Sequence, residues 1–172
     1  MADTTASLAG PAESAGSVPP APSAAPEPPT MLTQLRGMLS GEIPAPPAAT
    51  LIGFTMDSIE PGRAVFSMRA DERHANPMGT LHGGILCDIA DAAMGCAWGS
   101  TLGAGESYTT VELKINFMRP VWRATLTAEG RVIGGGRTVG LTECRVTAEQ
   151  GRLVAHATST LLTLRGESAQ GR

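Results

Sequence analysis

The chain has 172 residues and a formal net charge of −3, a balance that argues against general nucleic-acid binding, which needs a basic surface. No apolar run approaches the ~18 residues of a membrane span. Its three cysteines, Cys87, Cys96 and Cys144, have no metal-binding spacing and no even count, so we expect reduced thiols in a cytoplasmic protein without a metal site.

The first 30 residues hold seven of the 13 prolines and neither Lys nor Arg. This composition predicts a disordered Pro/Ala-rich tail and argues against a secretory signal. Residues 31–39 have apolar side chains at helical spacing, and the prolines within 44–47 should end that helix, so 31–47 form a short helix and a linker. The rest divides into one domain at 48–166 and a short tail at 167–172.

Two strands, at about 51–59 and 63–69, are predicted on either side of a turn at Pro61-Gly62. After an irregular loop at 70–81, the period changes to that of a helix with one apolar stripe over 82–98. Alanine and glycine fill the interior of this segment. Because small side chains allow close backbone contact, we expect a sheet wrapped tightly on this helix.

Alternation then returns, with Val111, Leu113, Ile115 and Phe117 predicted on one face of a strand and Thr110, Glu112, Lys114 and Asn116 on the other. Further strands are predicted at about 122–133, 137–148 and 152–164, separated by the glycines at 134–136 and by residues 149–151. Consecutive strands with short turns indicate an antiparallel sheet. The fold class is therefore α+β, with five to six strands around one long central helix.

The start of the long helix is a candidate for binding a developing negative charge. Gly83 and Gly84 leave backbone N–H groups bare, with no Cβ to block a ligand, and the helix dipole adds partial positive charge there. Such a place can stabilise the oxyanion of acyl transfer. Asp91 lies within the apolar helix, where a carboxylate is costly to bury without partners, and it is therefore a functional candidate. Asp88 is interpreted as a solvated residue near the helix start, where negative charge is favourable.

Gly83 and Asp91 are eight residues apart, which is about 12 Å along one helix. A reacting carbonyl must lie within about 3 Å of its hydrogen-bond donors, with the attacking group at similar range. One chain therefore cannot offer both groups to one carbonyl. If both act, Gly83 comes from one protomer and Asp91 from another, which predicts an obligate two-fold dimer with two equal sites.

The segment from His74 to Pro120 carries a recognisable motif: Asn76, then Gly79, His82, Gly83 and Gly84, then Asp91 nine positions beyond the histidine, and later Thr109-Thr110 before a strand that leads to Arg119-Pro120. In this it resembles the PaaI-type branch of the hotdog-fold acyl-CoA thioesterases, over about residues 48–165. The resemblance implies a hotdog fold, acyl-CoA as substrate and self-association as a homodimer, with a dimer of dimers expected. Thioester hydrolysis requires only water, a base and an oxyanion hole, so no cofactor is expected.

The resemblance also implies roles for individual residues. Asp91 would be the general base or the nucleophile, and the Gly83 amide would polarise the thioester carbonyl from the opposing subunit. Asn76 would orient the carboxylate or the attacking water, Thr110 would hold that water, and His82 would brace the loop or the carbonyl. Coenzyme A phosphates would meet Arg137, unless that arginine is merely solvated, and the further candidates for substrate binding are Gly84, Gly136 and Thr138.

Two other functions stay open at this point. One is a non-catalytic acyl-CoA binding or sensing protein of the same fold, although the tail offers no basic DNA-binding domain. The other is a hotdog dehydratase or hydratase, which would pair a catalytic histidine with an acid in motifs that this sequence does not show. No nucleic-acid or membrane partner is expected.

Overall fold

The structure is a computed structural model that describes residues 28–170. The predicted disordered tail at 1–30 lies outside the described residues except for 28–30, and so do residues 171 and 172 of the predicted C-terminal tail. Within the described range the elements are α1 (Met31–Ser40), α2 (Pro47–Ile52), β1 (Phe54–Glu60), β2 (Arg63–Ala70), α3 (Gly83–Gly99), β3 (Ser107–Phe117), β4 (Ala124–Gly135), β5 (Val139–Thr147) and β6 (Leu153–Leu164).

The six strands form one antiparallel sheet in the order β1-β2-β4-β5-β6-β3. The strands β1 and β3 are therefore the two edges, and α3 packs across one face of the sheet. This arrangement confirms the predicted α+β class and the single long central helix. It has the six strands of the upper prediction, in the hotdog arrangement that the resemblance implied.

The close wrapping of sheet on helix is also confirmed. Ile89, Ala93 and Ala97 of α3 are fully buried. Gly130 of β4 lies so close to the helix that a Cβ there would overlap the backbone carbonyl of Ala93. The buried surface of α3 is wider than the predicted single stripe, because Met94 on a neighbouring face is fully buried as well.

The N-terminal elements differ from the prediction because glycines rather than prolines end them. The helix α1 ends at Ser40 because Gly41 adopts a left-handed φ of 83° and its N–H bonds the carbonyl of Met38. Pro47 then begins α2, at the position where a helix tolerates proline. Since α2 continues to Ile52, the strand predicted from residue 51 starts instead at Phe54. The domain boundary at residue 48 stays a prediction.

The glycine-rich separator between the next strands was also placed too early in the chain. Gly134 and Gly135 belong to β4 and pair with β5, and the turn follows them. Gly135 packs against the ring of Trp98, where a Cβ would crowd it. The missing side chain therefore serves packing and not only turn formation.

Among the described residues, no helix has both the length and the apolarity needed to cross a membrane. All three cysteines lie in the described range and form no disulfide. Burial raises the pKa of Cys144 to about 12, which favours an inert thiol that packs in the core.

Candidate active site

The N-terminus of α3 presents one free backbone N–H group. His82 caps the helix, and its Nδ1 accepts a hydrogen bond from the Gly84 N–H at 2.9 Å. No acceptor within residues 28–170 takes the N–H of Gly83. The sequence predicted two bare amides, so this is a correction: His82 occupies one of them. The other adds to the positive end of the helix dipole.

A cleft of about 350 Å³ opens at this amide, with Gly83 and Asn76 in its lining. A Cβ at position 83 would lie 2.8 Å from the ring of Phe117, an exposed side chain that also lines the cleft. A larger residue at position 83 would therefore have to displace this ring.

Asn76 holds together the loop that precedes α3. Its Oδ1 accepts hydrogen bonds from the N–H groups of Met78 at 2.9 Å and Thr80 at 3.2 Å, and its Nδ2 donates to Thr80 Oγ1 at 2.8 Å. These contacts lie within the loop, and none reaches Asp91. A second Nδ2 proton has no acceptor within the described part of the chain. The role of Asn76 towards carboxylate or water stays a prediction.

Asp91 lies half-buried near the middle of α3, and its Oδ1 accepts a hydrogen bond of 2.9 Å from Thr110 Oγ1. No described Lys, Arg or His side chain forms an ion pair with this carboxylate. Asp91 lines a cavity, where its carboxylate can meet a water or a substrate. The structure thus brings together two of the predicted site residues, Asp91 and Thr110.

Thr110 reaches Asp91 because of a β-bulge that the sequence pattern did not reveal. Thr110 pairs with Leu161 and Glu112 with Thr160, so Val111 is an extra residue on β3. Leu161 is fully buried on the face that packs against α3, and directly paired residues share a face. The predicted alternation placed Thr110 on the opposite face from Leu113, and this was wrong. Bulges commonly redirect side chains beside active sites.

A larger cavity of about 720 Å³ contains the Asp91–Thr110 pair in its wall. Apart from Asp88, Asp91 and a few uncharged polar groups, its lining is apolar. The lining residues come from five elements besides β3, namely α1, α2, β1, β2 and α3. Gly83 and Asn76 line the other cleft. Within one chain, the predicted oxyanion donor and the predicted base therefore lie in different clefts.

Burial and the charge of Asp91 raise the pKa values of titratable groups near this carboxylate. Burial, and then the charge of Asp91, raises the pKa of Asp88. The same two causes raise the pKa of the Cys96 thiol to about 12, and burial raises the pKa of the Tyr108 hydroxyl. Cys96 and Tyr108 therefore stay neutral, and Asp88 and Asp91 are the two carboxylates in the lining of this cavity. No group of three or more His, Cys, Asp or Glu able to hold a metal occurs in the described range.

Comparison with known proteins identifies this arrangement. The model of the thioesterase superfamily matches residues 78–155. A protein of Saccharolobus solfataricus that is named as an esterase is 35% identical over 108 residues, which cover 63% of this chain and 76% of the relative. The chain belongs to the thioesterase superfamily. It is a thioester hydrolase.

Two further relatives agree with this assignment. Human acyl-coenzyme A thioesterase 13 is 29% identical over 108 residues, covering 62% of this chain and 76% of the human protein. The structure of the Escherichia coli PaaI protein, from the phenylacetic acid degradation operon, aligns with a TM-score of 0.70 at 25% identity. It covers 79% of this chain and 95% of PaaI. The resemblance to the PaaI-type branch is confirmed.

Residues 136–138 lie at the end of this thioesterase domain opposite to Gly83 within one protomer. The Thr138 carbonyl accepts from the Thr163 N–H at 2.8 Å, and Thr163 Oγ1 accepts from the indole of Trp98, at the last turn of α3. Gly83 begins the same helix, about 24 Å away along its axis. Neither cavity includes Gly136, Arg137 or Thr138. Their predicted contact with coenzyme A stays a prediction.

The sequence analysis missed the N-terminal helices as part of the site. Met31, Leu35 and Met38 of α1 and Ile52 of α2 line the cavity that holds Asp91. The spacing of Met31, Leu35 and Met38 places them on one face of a helix, and that signal was present in the sequence. It predicted an apolar face without saying what the face would cover.

Proposed function

We propose that the protein hydrolyses acyl-coenzyme A thioesters to a free acid and coenzyme A in a site shared by two protomers. Asp91 and Thr110 belong to one protomer, and the oxyanion donor is the partner's Gly83. The observation that carries this proposal is the separation within one chain. The unbonded Gly83 amide opens into one cleft and Asp91 into another, about 12 Å apart along α3.

The chemistry follows from the hydrogen bonds of the carboxylate. Thr110 holds Oδ1, and Oδ2 accepts a proton from a water whose oxygen attacks the thioester carbonyl carbon. The N–H of the partner's Gly83 donates to the oxygen that becomes negative, and the second Nδ2 proton of the partner's Asn76, which lies in the same cleft as the partner's Gly83, orients the water. The C–S bond then breaks, and the thiolate takes the proton from Asp91. Direct attack by Asp91 is the alternative, and it would transfer an oxygen of labelled water into the carboxylate during a single turnover.

The edge strand β3 supports the dimer. It has 11 residues, and only β6 pairs with it among the described strands. Val111 and Phe117 on this strand are 62% and 55% exposed, and an exposed apolar edge is a template for pairing with another chain. Thr110 lies beside Asp91 and Phe117 beside Gly83. Pairing of β3 with its copy would therefore bring both halves of the site to the interface.

Two further features support the finer proposals. The exposed apolar residues Ile133, Val139 and Leu141 of β4 and β5 offer a surface for a dimer of dimers. Arg137 is exposed and has no ion-pair partner within the described range, so its guanidinium is free for a coenzyme A phosphate, beside Gly136 and Thr138. Gly84 contributes space rather than a donor, since its N–H is taken by His82. Unpaired cysteines fit a cytoplasmic location.

The decisive experiment replaces the base without changing its shape. Asp91→Asn is expected to lower kcat for acyl-CoA hydrolysis, followed by thiol release, by about 10²–10⁴-fold, because an amide cannot accept the proton from water. Asp57→Asn is the control, because this exposed carboxylate on β1 lies outside the lining of both clefts and the amide oxygen can still accept the hydrogen bond from Ser67. It should keep kcat within about threefold, as surface substitutions usually do. Near-equal rates for Asp91→Asn and the wild type would remove Asp91 from the mechanism.

The superfamily assignment favours hydrolysis over the binding-only alternative. Tight acyl-CoA binding without thiol release by the wild-type protein would reverse that preference. The dehydratase alternative predicts a change in enoyl absorbance with hydroxyacyl thioesters, and hydrolysis predicts none.

A further inference from the structure

The cavity at Asp91 continues along α3, away from the residues that do the chemistry. Asp88, Asp91, Ala92 and Cys96 line it from α3, at spacings that define one face of the helix. The opposite wall consists of α1 and α2. This mostly apolar cleft of about 720 Å³ opens to the surface and has the size of a small-molecule binding site.

Local contacts order α1, and a hydrogen bond joins α2 to the rest of the domain. Thr30 caps α1 by accepting from the Thr33 N–H at 3.3 Å, and the side chain of Ile43 packs on Gly37 after the helix has ended. The α2 helix is tied to the loop that carries Asn76, because the Nε2 of the buried His74 bonds the Ile52 carbonyl at 2.9 Å. The position of α2 is thereby coupled to that of the catalytic loop.

Met31 and Tyr108 close the far end of the cavity. Both side chains meet over Gly99 in the last turn of α3, where a Cβ would overlap the Met31 sulfur and the Tyr108 ring. Tyr108 also lies over Gly95. Gly95 and Gly99 of α3 therefore leave space for the side chains of Met31 and Tyr108, which close this end of the cavity. Methionine is unbranched and adapts its shape to a ligand.

We propose that α1 and α2 limit the length of the acyl group that the substrate can carry, and that Met31 sets its maximum length. This inference rests on the proposed function, since Asp91 fixes where the thioester carbonyl lies. From Asp91 the cavity runs past Cys96, about 7.5 Å along the helix, towards Gly99, about 12 Å along it. An extended chain advances roughly 1.2 Å per bond. The acyl group therefore extends about six to ten bonds beyond the carbonyl carbon.

The test measures kcat/KM for thiol release over straight-chain acyl-CoAs from acetyl to hexadecanoyl. For the wild type, kcat/KM should rise by up to about fourfold per methylene until the chain reaches Met31, and fall at least tenfold by hexadecanoyl. Met31→Ala should move the optimum about two to four carbons longer, since the deleted thioether spans that length. Met31→Trp should move it shorter.

Leu39 provides matched controls on the same helix. It is 41% exposed and outside the cavity lining, so Leu39→Ala and Leu39→Trp should leave the chain-length profile unchanged. Thermal unfolding of every variant shows that the fold is retained. An active wild type whose optimum is unmoved by both Met31 substitutions would overturn the proposal for α1 and leave the hydrolase proposal intact.

Calorimetric binding of the same acyl-CoA series to Asp91→Asn gives a readout without turnover. The affinity should increase with chain length to the same limit, and adding Met31→Ala should extend that limit. If the wild type releases no thiol from any acyl-CoA while this pattern holds, the hydrolase proposal is contradicted and the proposal that α1 and α2 limit the acyl length is supported. An affinity that does not depend on chain length would contradict the proposal that α1 and α2 limit the acyl length, whatever the rate of thiol release.

Discussion

At the residue scale, the site depends on one hydrogen bond between an edge strand and the central helix. Thr110 donates to Asp91 at 2.9 Å, and a hydrogen bond to a charged group contributes about 1.5–3 kcal/mol. In the proposed mechanism this bond determines which carboxylate oxygen is engaged and which one meets the water, so that Thr110 is a positioning residue that acts through Asp91.

Thr110→Val removes the hydroxyl and keeps the β-branched shape. We expect kcat for thiol release to fall roughly tenfold to a hundredfold, by the energy of a charged hydrogen bond, with KM little changed because the substrate does not need this hydroxyl for binding. The control is Thr160→Val, which deletes an equivalent bond of 3.0 Å to the carboxylate of Glu112 on the exposed face. Equal losses in both variants would point to general destabilisation of the strands.

Individual site residues were predictable where chemistry alone singles them out. Asp91 stands out as a carboxylate on an apolar helix, and Gly83 as a glycine at a helix start. The side-chain direction of Thr110 was not predictable, because the bulge at Val111 leaves no mark in the alternation of the sequence. Nor was the engagement of Gly84 by His82, since both amides look alike until the ring position is known.

At the element scale, the contact between α3 and β4 limits how the sheet can wrap. Gly130 faces the backbone of Ala93, where no flexible side chain can yield. The alanine and glycine content of α3 predicted this closeness correctly. The N-terminal elements were harder, because left-handed glycines at 41 and 53 end two helices, and a glycine's φ is not written in the sequence.

Gly130→Ala tests the closeness directly. Overpacking typically costs about 1–3 kcal/mol, and a clash with backbone should give the upper end, lowering Tm by roughly 4–12 °C at this chain length. Gly134→Ala on the same strand is the control, since a Cβ there meets nothing within 4 Å. It should be neutral or raise the free energy of unfolding by up to about 1 kcal/mol. Similar melting curves for the two variants would show that the helix can shift to accept a Cβ.

At the scale of the whole molecule, the proposed site exists only between two chains, and mixed dimers can show this. Asp91→Asn removes the base. Gly83→Pro removes the amide N–H at the first helical residue, where proline is tolerated, and His82 before it already has the extended φ and ψ that a following proline requires. Losing an oxyanion donor should slow turnover by about 10²–10³-fold, so each homodimer is expected to be nearly inactive. The proline ring must displace the exposed side chain of Phe117, so Gly83→Ala, which adds a Cβ there and keeps the N–H, is the control that should stay active.

A purified mixed dimer of the two variants, isolated with a different affinity tag on each chain, distinguishes a shared site from one within a chain. If each active site is built from both chains, the mixed dimer has two different active sites. One contains both substitutions, and the other contains an intact Asp91 from one chain and an intact Gly83 from its partner. That dimer should then recover about half the wild-type rate. If each chain holds a complete site, every site carries one defect and no activity returns. A protein that is monomeric by light scattering yet fully active would contradict the shared site without any variant.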